Sequence, residues 1–404
     1  MQNPVLLSKT LYMDLIEVTD SRTARWFLHT PNEIYRNDPV WVCPPKKMIS
    51  NIFNPGTNVF FTHGEAIRWV LRKDNKNIGR VAAFINFNKA YAGDYPVGGM
   101  GFFECIDTTE AAFLLMDACR NWLEKKGMKA MEGPVNFGEN DKFWGLLVEG
   151  FIHPGFGMNY NPPYYLRFFQ EYGFQVYYSQ VTKHLDIHAP FPERFWKIAD
   201  WVRSKPEFSF RCLDVKHLDS FAADFKTVYD DAWRWHENFT PIETGSLIST
   251  FRESRHVIDP GLIWFAYQNG QPVGFLVVFP DLNQLIKPFR GNLNLINKLR
   301  LIYRFRTHRL NRARMVIFGV APRVQRYGIE AGMIWHLNEA MKQRRWYKEL
   351  EISWVGDFNP KMQALLEAVG GNKAKEHWTL RKLFDDSLPF RRSKEIPKEN
   401  RQSD

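Results

Sequence analysis

The ten residues from Val320 to Ile329, Val-Ala-Pro-Arg-Val-Gln-Arg-Tyr-Gly-Ile, lie between a strand-like run and a helix-like one. Backbone N–H groups at a helix start, with a glycine that allows close approach, make a cradle for a pyrophosphate. Arg323 and Arg326 add positive charge beside it, and Gln325, Tyr327 and Gly328 complete the turn. The chemistry expected is the binding of a phosphate-bearing co-substrate, although an ordinary strand-to-helix turn uses the same residue types. Glu330 follows at once. Facing inward it would repel a phosphate; facing outward it would suit the helix dipole.

A second group of residues suits an acceptor. Glu139, Asn140 and Asp141 cluster close to Asn136 and Trp144, and Tyr160, Asn161, Tyr164 and Tyr165 surround an Asn-Pro-Pro turn. Hydroxyl and amide groups among aromatic walls fit a molecule with an amino-alcohol end and a greasy tail. Packing alone would explain Tyr164 and Tyr165 equally well.

These residues must be held by a framework, and the framework repeats. In the first half, GRVAAFINF and GGMGFFECI read as strands, TTEAAFLLMDACRNWLEKKG as a helix stopped by Gly127, and MKAMEGPV as a strand. A short helix, YNPPYYLRFFQEYGF, and a strand, VYYSQVTKHLDI, close the half. The second half gives the same order: a hairpin through Asn269-Gly270, MVIFGVAP, YGIEAGMIWHLNEAMKQRR, KELEISWV, FNPKMQALLEAVGG and KAKEHWTLRKL. Asn161 matches Asn359 and Gly173 matches Gly371 at an offset of 198, whereas Glu132 matches Glu351 and Leu115 matches Ile334 at 219. The difference of 21 residues is an insertion after the strand that holds Glu132. Its aromatic content predicts order and a functional loop. The first-half counterpart of the cradle, residues 106–112, has no glycine and carries Asp107 and Glu110, so this half is not expected to bind phosphate.

The chain is 45% apolar and 24% charged, which excludes a disordered or collagen-like class. No stretch approaches 18 uninterrupted apolar residues and the start lacks a signal-peptide pattern. Cys43, Cys105, Cys119 and Cys212 have neither CxxC nor zinc-ligand spacing, so a reduced, cytoplasmic chain without a metal is expected. A net charge of +10 with 15% aromatic residues points to anionic partners.

The Gln-x-x-Gly-x spacing, the strand ending Gly-Val-x-Pro and the downstream FNPKMQALLEAVGG resemble the GNAT acyltransferases, which bind acyl-CoA. Almost the whole chain, including FLHTPNEIYRNDPVWVCPP and EGPVNFGENDKFWGLLVEGF, resembles bacterial tandem-GNAT N-acyltransferases, and among them the ceramide synthases that acylate a sphingoid base. The resemblance implies an α/β (α+β) fold of two tandem GNAT-like domains, each a mixed, mostly antiparallel twisted sheet flanked by helices. The expected boundaries are 1–190 for a degenerate acceptor or scaffold domain, 191–390 for the acyl-CoA domain and 391–404 for a disordered tail. It implies an acyl-CoA co-substrate and a lipid-like amine acceptor. Asn359 would flank the pantetheine arm, and the oxyanion would meet backbone N–H groups near Gly319 to Ala321.

The family's usual leaving-group acid, a tyrosine, is replaced by Leu366, and the family motif's final Gly/Ala by Glu330. Position then nominates His236 and Glu237 as base candidates, with a solvated loop position as the alternative for His236, Glu351 as a holder of water, with pairing to a neighbouring lysine as the alternative, and Tyr164 as a further catalytic candidate. Two alternatives share the pattern. Aminoacyl-tRNA-dependent transferases of the peptidoglycan-bridge type also pair two GNAT-like halves, and a GNAT fold can lose catalysis and keep only ligand or nucleic-acid binding.

Residues 281–314 carry nine Lys/Arg and one Asp, with Leu293, Ile296, Leu299, Ile302 and Tyr303 at three- and four-residue steps. A basic amphipathic helix of this kind suits an anionic membrane surface, so peripheral attachment to the inner face of the cytoplasmic membrane is expected. Burial of the stripe in its own domain is the alternative. No helix-turn-helix, zinc-finger or RNP signature accompanies it, so nucleic acid is not the expected partner.

Overall fold

The computed structural model describes residues 13–234, 248, 252, 255–307 and 310–395. The chain forms two compact units that are not contiguous halves. Among the described residues, unit 1 holds those up to Leu146, Asn159–Val176 and Thr379–Phe390, and unit 2 holds Leu147–Met158, those within Tyr177–Trp378, and 391–395. A single cut near residue 190 therefore does not separate them.

Unit 1 carries β1 (Asp14–Glu17), β2 (Gly64–Lys73), β3 (Lys76–Asn86), β4 (Val97–Cys105) and β5 (Ala130–Gly133), with helices α1 (Ser21–Ile34), α2 (Lys46–Ile52), α3 (Phe87–Ala90), α4 (Thr109–Lys125) and α5 (Tyr165–Glu171). β1 to β4 form an antiparallel meander, and β5 joins β4 in parallel. Antiparallel to β5 lies the end of the chain's last strand, with Leu380 opposite Gly133 and Leu383 opposite Ala130. Helix α4 forms because Ala112, Leu115, Met116, Cys119 and Leu123 recur at helical spacing and are buried on one face.

Unit 2 repeats the plan. It carries β7 (Gln175–Asp186, from Tyr177 on), β8 (Phe208–Cys212), β9 (Ile263–Gln268), β10 (Gln271–Pro280), β11 (Arg312–Val320), β12 (Glu349–Gly356) and the first part of β13 (Asn372–Leu383). The short β6 (Leu146–Glu149) lies in the insertion. The helices are α6 (Glu193–Arg203), α7 (Leu218–Trp233), α8 (Asn283–Ile286), α9 (Leu295–Thr307), α10 (Ile329–Gln343) and α11 (Pro360–Ala368). β8 to β11 are an antiparallel meander, β12 joins β11 in parallel, and β7 runs antiparallel to β12. Each unit thus ends on a strand from the other repeat: β7 serves the second, β13 the first.

The expected hairpin at Asn269-Gly270 is present, with both residues at positive φ (49° and 79°), as a type I′ turn requires. Asp74 and Asn75 make the matching turn between β2 and β3. The expected disorder of 391–404 does not hold for its first residues. Ser393 N–H donates to the Tyr177 carbonyl at 3.0 Å, and Arg392 pairs with Asp357. Among the described residues, no helix is long and apolar enough to cross a membrane.

Candidate functional site

The parallel register of β11 and β12 runs only from Arg312–Glu349 to Met315–Ile352. Beyond it β11 continues against β10 to Val320, and β12 continues against β7 to Gly356. Each strand keeps its outer neighbour while parting from the other, which opens a V in the sheet. Its arms, Val316–Phe318 and Ser353–Val355, are half-buried. In unit 1 the same place is shut: Val135 N–H donates to the Met100 carbonyl at 2.8 Å, and a Cβ on Gly101 would lie 1.7 Å from the Val135 carbonyl oxygen.

The cradle stands at the mouth of this V. Pro322–Tyr327 form a 3-10 turn, and Gly328 (φ 71°) caps α10 in the left-handed region that favours glycine. Arg323, Arg326 and Tyr327 are exposed, while Ile329 is buried and anchors the helix start. Gln325 donates to the Val320 carbonyl at 3.3 Å and accepts from Lys361 at 2.5 Å. Lys361, on α11, is thus a third cation at the cradle, visible in the sequence only as the residue after Asn359-Pro360. Asn359 itself caps α11, its Oδ1 accepting from Met362 N–H at 3.1 Å. Glu330 faces neither cleanly in nor out: it is half-buried, and burial pushes its carboxyl pKa up.

The floor of the V is bounded on one side by α7. Phe225, Tyr229 and Trp233, spaced four apart, stack along that helix at 6.0 and 4.8 Å, and Trp233 also stacks on Phe275 at 5.9 Å. Sequence reasoning missed Trp233, although its four-residue aromatic spacing was readable. Ala321 N–H is committed to the Val273 carbonyl at 2.8 Å. Because antiparallel partners alternate in direction, the N–H groups of Val320 and Phe318 then point toward the V. His236 and Glu237, three and four residues past Trp233, lie outside the described residues.

Glu351 is built into a buried ion cluster, and its Oε1 has no hydrogen-bond partner among the described residues. It is fully buried, pairs with Lys375, and sits 3.1 Å from His184 Nε2 and 3.7 Å from Arg314 Nε. Burial alone would raise its pKa, but Lys375, His184 and Arg314 hold it well below the carboxylate range. His184 meets Glu349 at 2.6 Å through its other nitrogen; burial opposes its charge, yet the two carboxylates keep its pKa above the ordinary value. The tip of the insertion rests on this cluster. Phe156 donates to Asp281 at 3.1 Å and accepts from Arg314 at 2.5 Å, and Asn283 donates to the Pro154 carbonyl at 2.8 Å. The expected order of the insertion holds, and its ordering force is ionic as well as aromatic.

On the opposite face of the sheet, between it and helices α10 and α11, lies a small apolar pocket that is partly open to solvent. Met315, Phe318, Ile334, Leu337, Ile352 and Leu366 line it. Leu366 is therefore a wall of this pocket.

The first-repeat candidates all lie in unit 1. Tyr165 is buried, donates to Glu104 at 3.1 Å and accepts from Cys105 N–H at 2.7 Å. Tyr164 donates to the Cys105 carbonyl at 2.8 Å, and burial raises its hydroxyl pKa, a poor state for a proton donor. Tyr160 donates to Asp38 at 2.8 Å, and buried Asn161 donates to the Pro162 carbonyl at 3.0 Å. These four brace unit 1. Trp144 donates to Thr379 at 3.1 Å beside Phe84, Val135 and Phe137. Asn136, buried near this wall, keeps an Oδ1 without a hydrogen-bond partner among the described residues. Glu139 is exposed and pairs with Lys89 at 3.3 Å, and Asn140 is exposed.

No family model matches the chain. It is 25% identical over 371 residues to the bacterial ceramide synthase of Caulobacter vibrioides, covering 90% of this chain and 96% of that one. It is also 25% identical over 400 residues to protein YghO of Escherichia coli K12, covering 93% and 98%. A tandem GNAT protein from the clavulanic acid biosynthesis pathway superposes with a TM-score of 0.55 at 11% identity, over 93% of this chain and 100% of that one. A GCN5-related glucosamine N-acetyltransferase region of a fungal multi-domain β-N-acetylglucosaminidase gives 0.54 at 13% identity, over 92% and 38%. The parallel strands that part above a glycine-capped helix, occurring once in a doubled plan, are thus the tandem GNAT fold, carried on a sequence similar over nine-tenths of its length to a bacterial ceramide synthase.

Proposed function

We propose that the protein is an acyl-CoA-dependent N-acyltransferase that moves a fatty acyl group onto the amine of a sphingoid base or a similar lipid-like amine. The observation that carries the reading is the V between β11 and β12, open in unit 2 and shut in unit 1, with Gly328, Arg323, Arg326 and Lys361 at its mouth. The likeness to the ceramide synthase supports the acceptor class. The helix start and its cations receive the pyrophosphate. Val316–Phe318 and Ser353–Val355 flank the pantetheine arm, and the N–H groups of Val320 and Phe318 stabilise the oxyanion that forms as the amine attacks the thioester carbonyl. The amine must arrive neutral, and His236 with Glu237 are the proposed acceptors of its proton.

The test is incubation of the purified full chain with palmitoyl-CoA and sphinganine, with mass-spectrometric detection of product and release of free CoA. N-palmitoyl sphinganine with stoichiometric CoA supports the reading. CoA release with a different amine but none with sphinganine would retire the sphingoid base and keep the transferase. No binding of CoA or palmitoyl-CoA by calorimetry would retire both.

A further inference from the structure

The insert between β10 and β11 ends in α9, whose two sides differ. One side docks on unit 2: Leu301 is buried, Arg304 donates to the Leu285 carbonyl at 2.9 Å, and its guanidinium lies 5.9 Å from the Phe289 ring. The other side carries Leu295, Ile296, Leu299 and Tyr303, exposed by 73, 61, 60 and 66%. At about 100° per residue these four fall within roughly 100° of arc, a continuous apolar stripe. Lys298 borders one edge and Arg300 the other, and both are exposed. From Leu282 to Ile329 the sequence contains no Asp or Glu. Of the five stripe residues expected from the sequence, Ile296, Leu299 and Tyr303 are exposed, Ile302 is half-buried, and Leu293 is half-buried ahead of the helix.

We propose that α9 docks the protein on an anionic lipid bilayer, lying in the interface with Leu295, Ile296 and Leu299 among the acyl chains. Charge selects this occupant. Cations flanking an apolar stripe reach anionic head groups while their alkyl stems cover the stripe's edges. Tyr303 sits at the stripe's end, as an amphipathic ring does at head-group depth. A protein partner would have to cover a stripe whose rim is entirely cationic. A nucleic acid would leave two leucines and an isoleucine facing phosphate. The inference stands on α9 alone and does not depend on acyl transfer.

The experiment is flotation of the full chain with vesicles of phosphatidylcholine, with and without phosphatidylglycerol, at low and high salt. The variants are L295S/L299S and K298E/R300E, each checked for unchanged melting temperature and elution volume. The expected result is binding to phosphatidylglycerol vesicles that falls at least tenfold in either variant and weakens with salt. Equal flotation of wild type and L295S/L299S overturns the proposal, as does absence of wild-type binding. A wild-type dimer that L295S/L299S converts to monomer would assign the stripe to a second copy and overturn it too. Retention of wild type on duplex DNA but not on anionic vesicles would do the same.

Discussion

Trp233 and Gly319 share one place: a Cβ on Gly319 would lie 2.5 Å from the Trp233 ring. The indole thus rests directly on the backbone of the strand whose neighbouring N–H groups face the V. Gly319→Ala should push the ring aside and cost roughly 1–3 kcal/mol by overpacking. Trp233→Ala should leave room and instead loosen the acceptor side. Acylation assays should show KM for the amine rising in both, while calorimetric affinity for CoA stays near wild type. Equal loss of CoA affinity would place Trp233 on the donor side instead.

The cradle makes a charge prediction. Arg323→Glu with Arg326→Glu should weaken CoA binding at least tenfold, about 1.4 kcal/mol, at unchanged melting temperature. Glu330→Gln should tighten it severalfold, because a half-buried carboxyl at the helix start opposes the phosphates. Titration calorimetry at two salt concentrations reads both, and an unaltered Glu330→Gln would mean the side chain points away from the ligand.

Glu351 should behave as a counter-ion. Replacing it by Gln strands Lys375 and Arg314 in the interior and should cost roughly 3–5 kcal/mol in urea unfolding. Turnover per folded molecule should change little. A large loss of turnover at unchanged stability would return Glu351 to the chemistry.

His336 predicts an acid-side instability. It lies against Trp264 and Phe210 at 4.7 and 5.1 Å, and burial, followed by the charge of Arg203, lowers its pKa from 6.5 to about 4. The folded site refuses a proton that the unfolded chain accepts, so its contribution is present above pH 6.5 and lost as pH falls toward 4. His336→Phe should flatten the fall in unfolding midpoint between pH 7 and pH 4.5.

What the sequence made legible was local. The Asn269-Gly270 hairpin, the face of α4 and the glycine before α10 are fixed by residues within a turn or two of each other. The doubled plan was legible because Glu132 and Glu351 keep the same place in the order of elements. What was not legible depends on partners far along the chain. Glu351 could be read from the sequence as holding a water or pairing with a nearby lysine, but its partners His184 and Lys375 come from β7 and β13, far along the chain. The insertion looked like one loop, yet its Leu147–Met158 part belongs to unit 2 because Asp281 and Arg314 hold it there.

The exchanged last strands have a consequence during synthesis. Unit 1's sheet takes its final strand from residues after Trp378, so its edge at β5 stays unpaired until the second repeat has been translated. An open edge is a template for wrong pairing, and the growing chain carries it through most of its time on the ribosome. The two repeats look like separate genes joined in series, but in folding they are obliged to finish together.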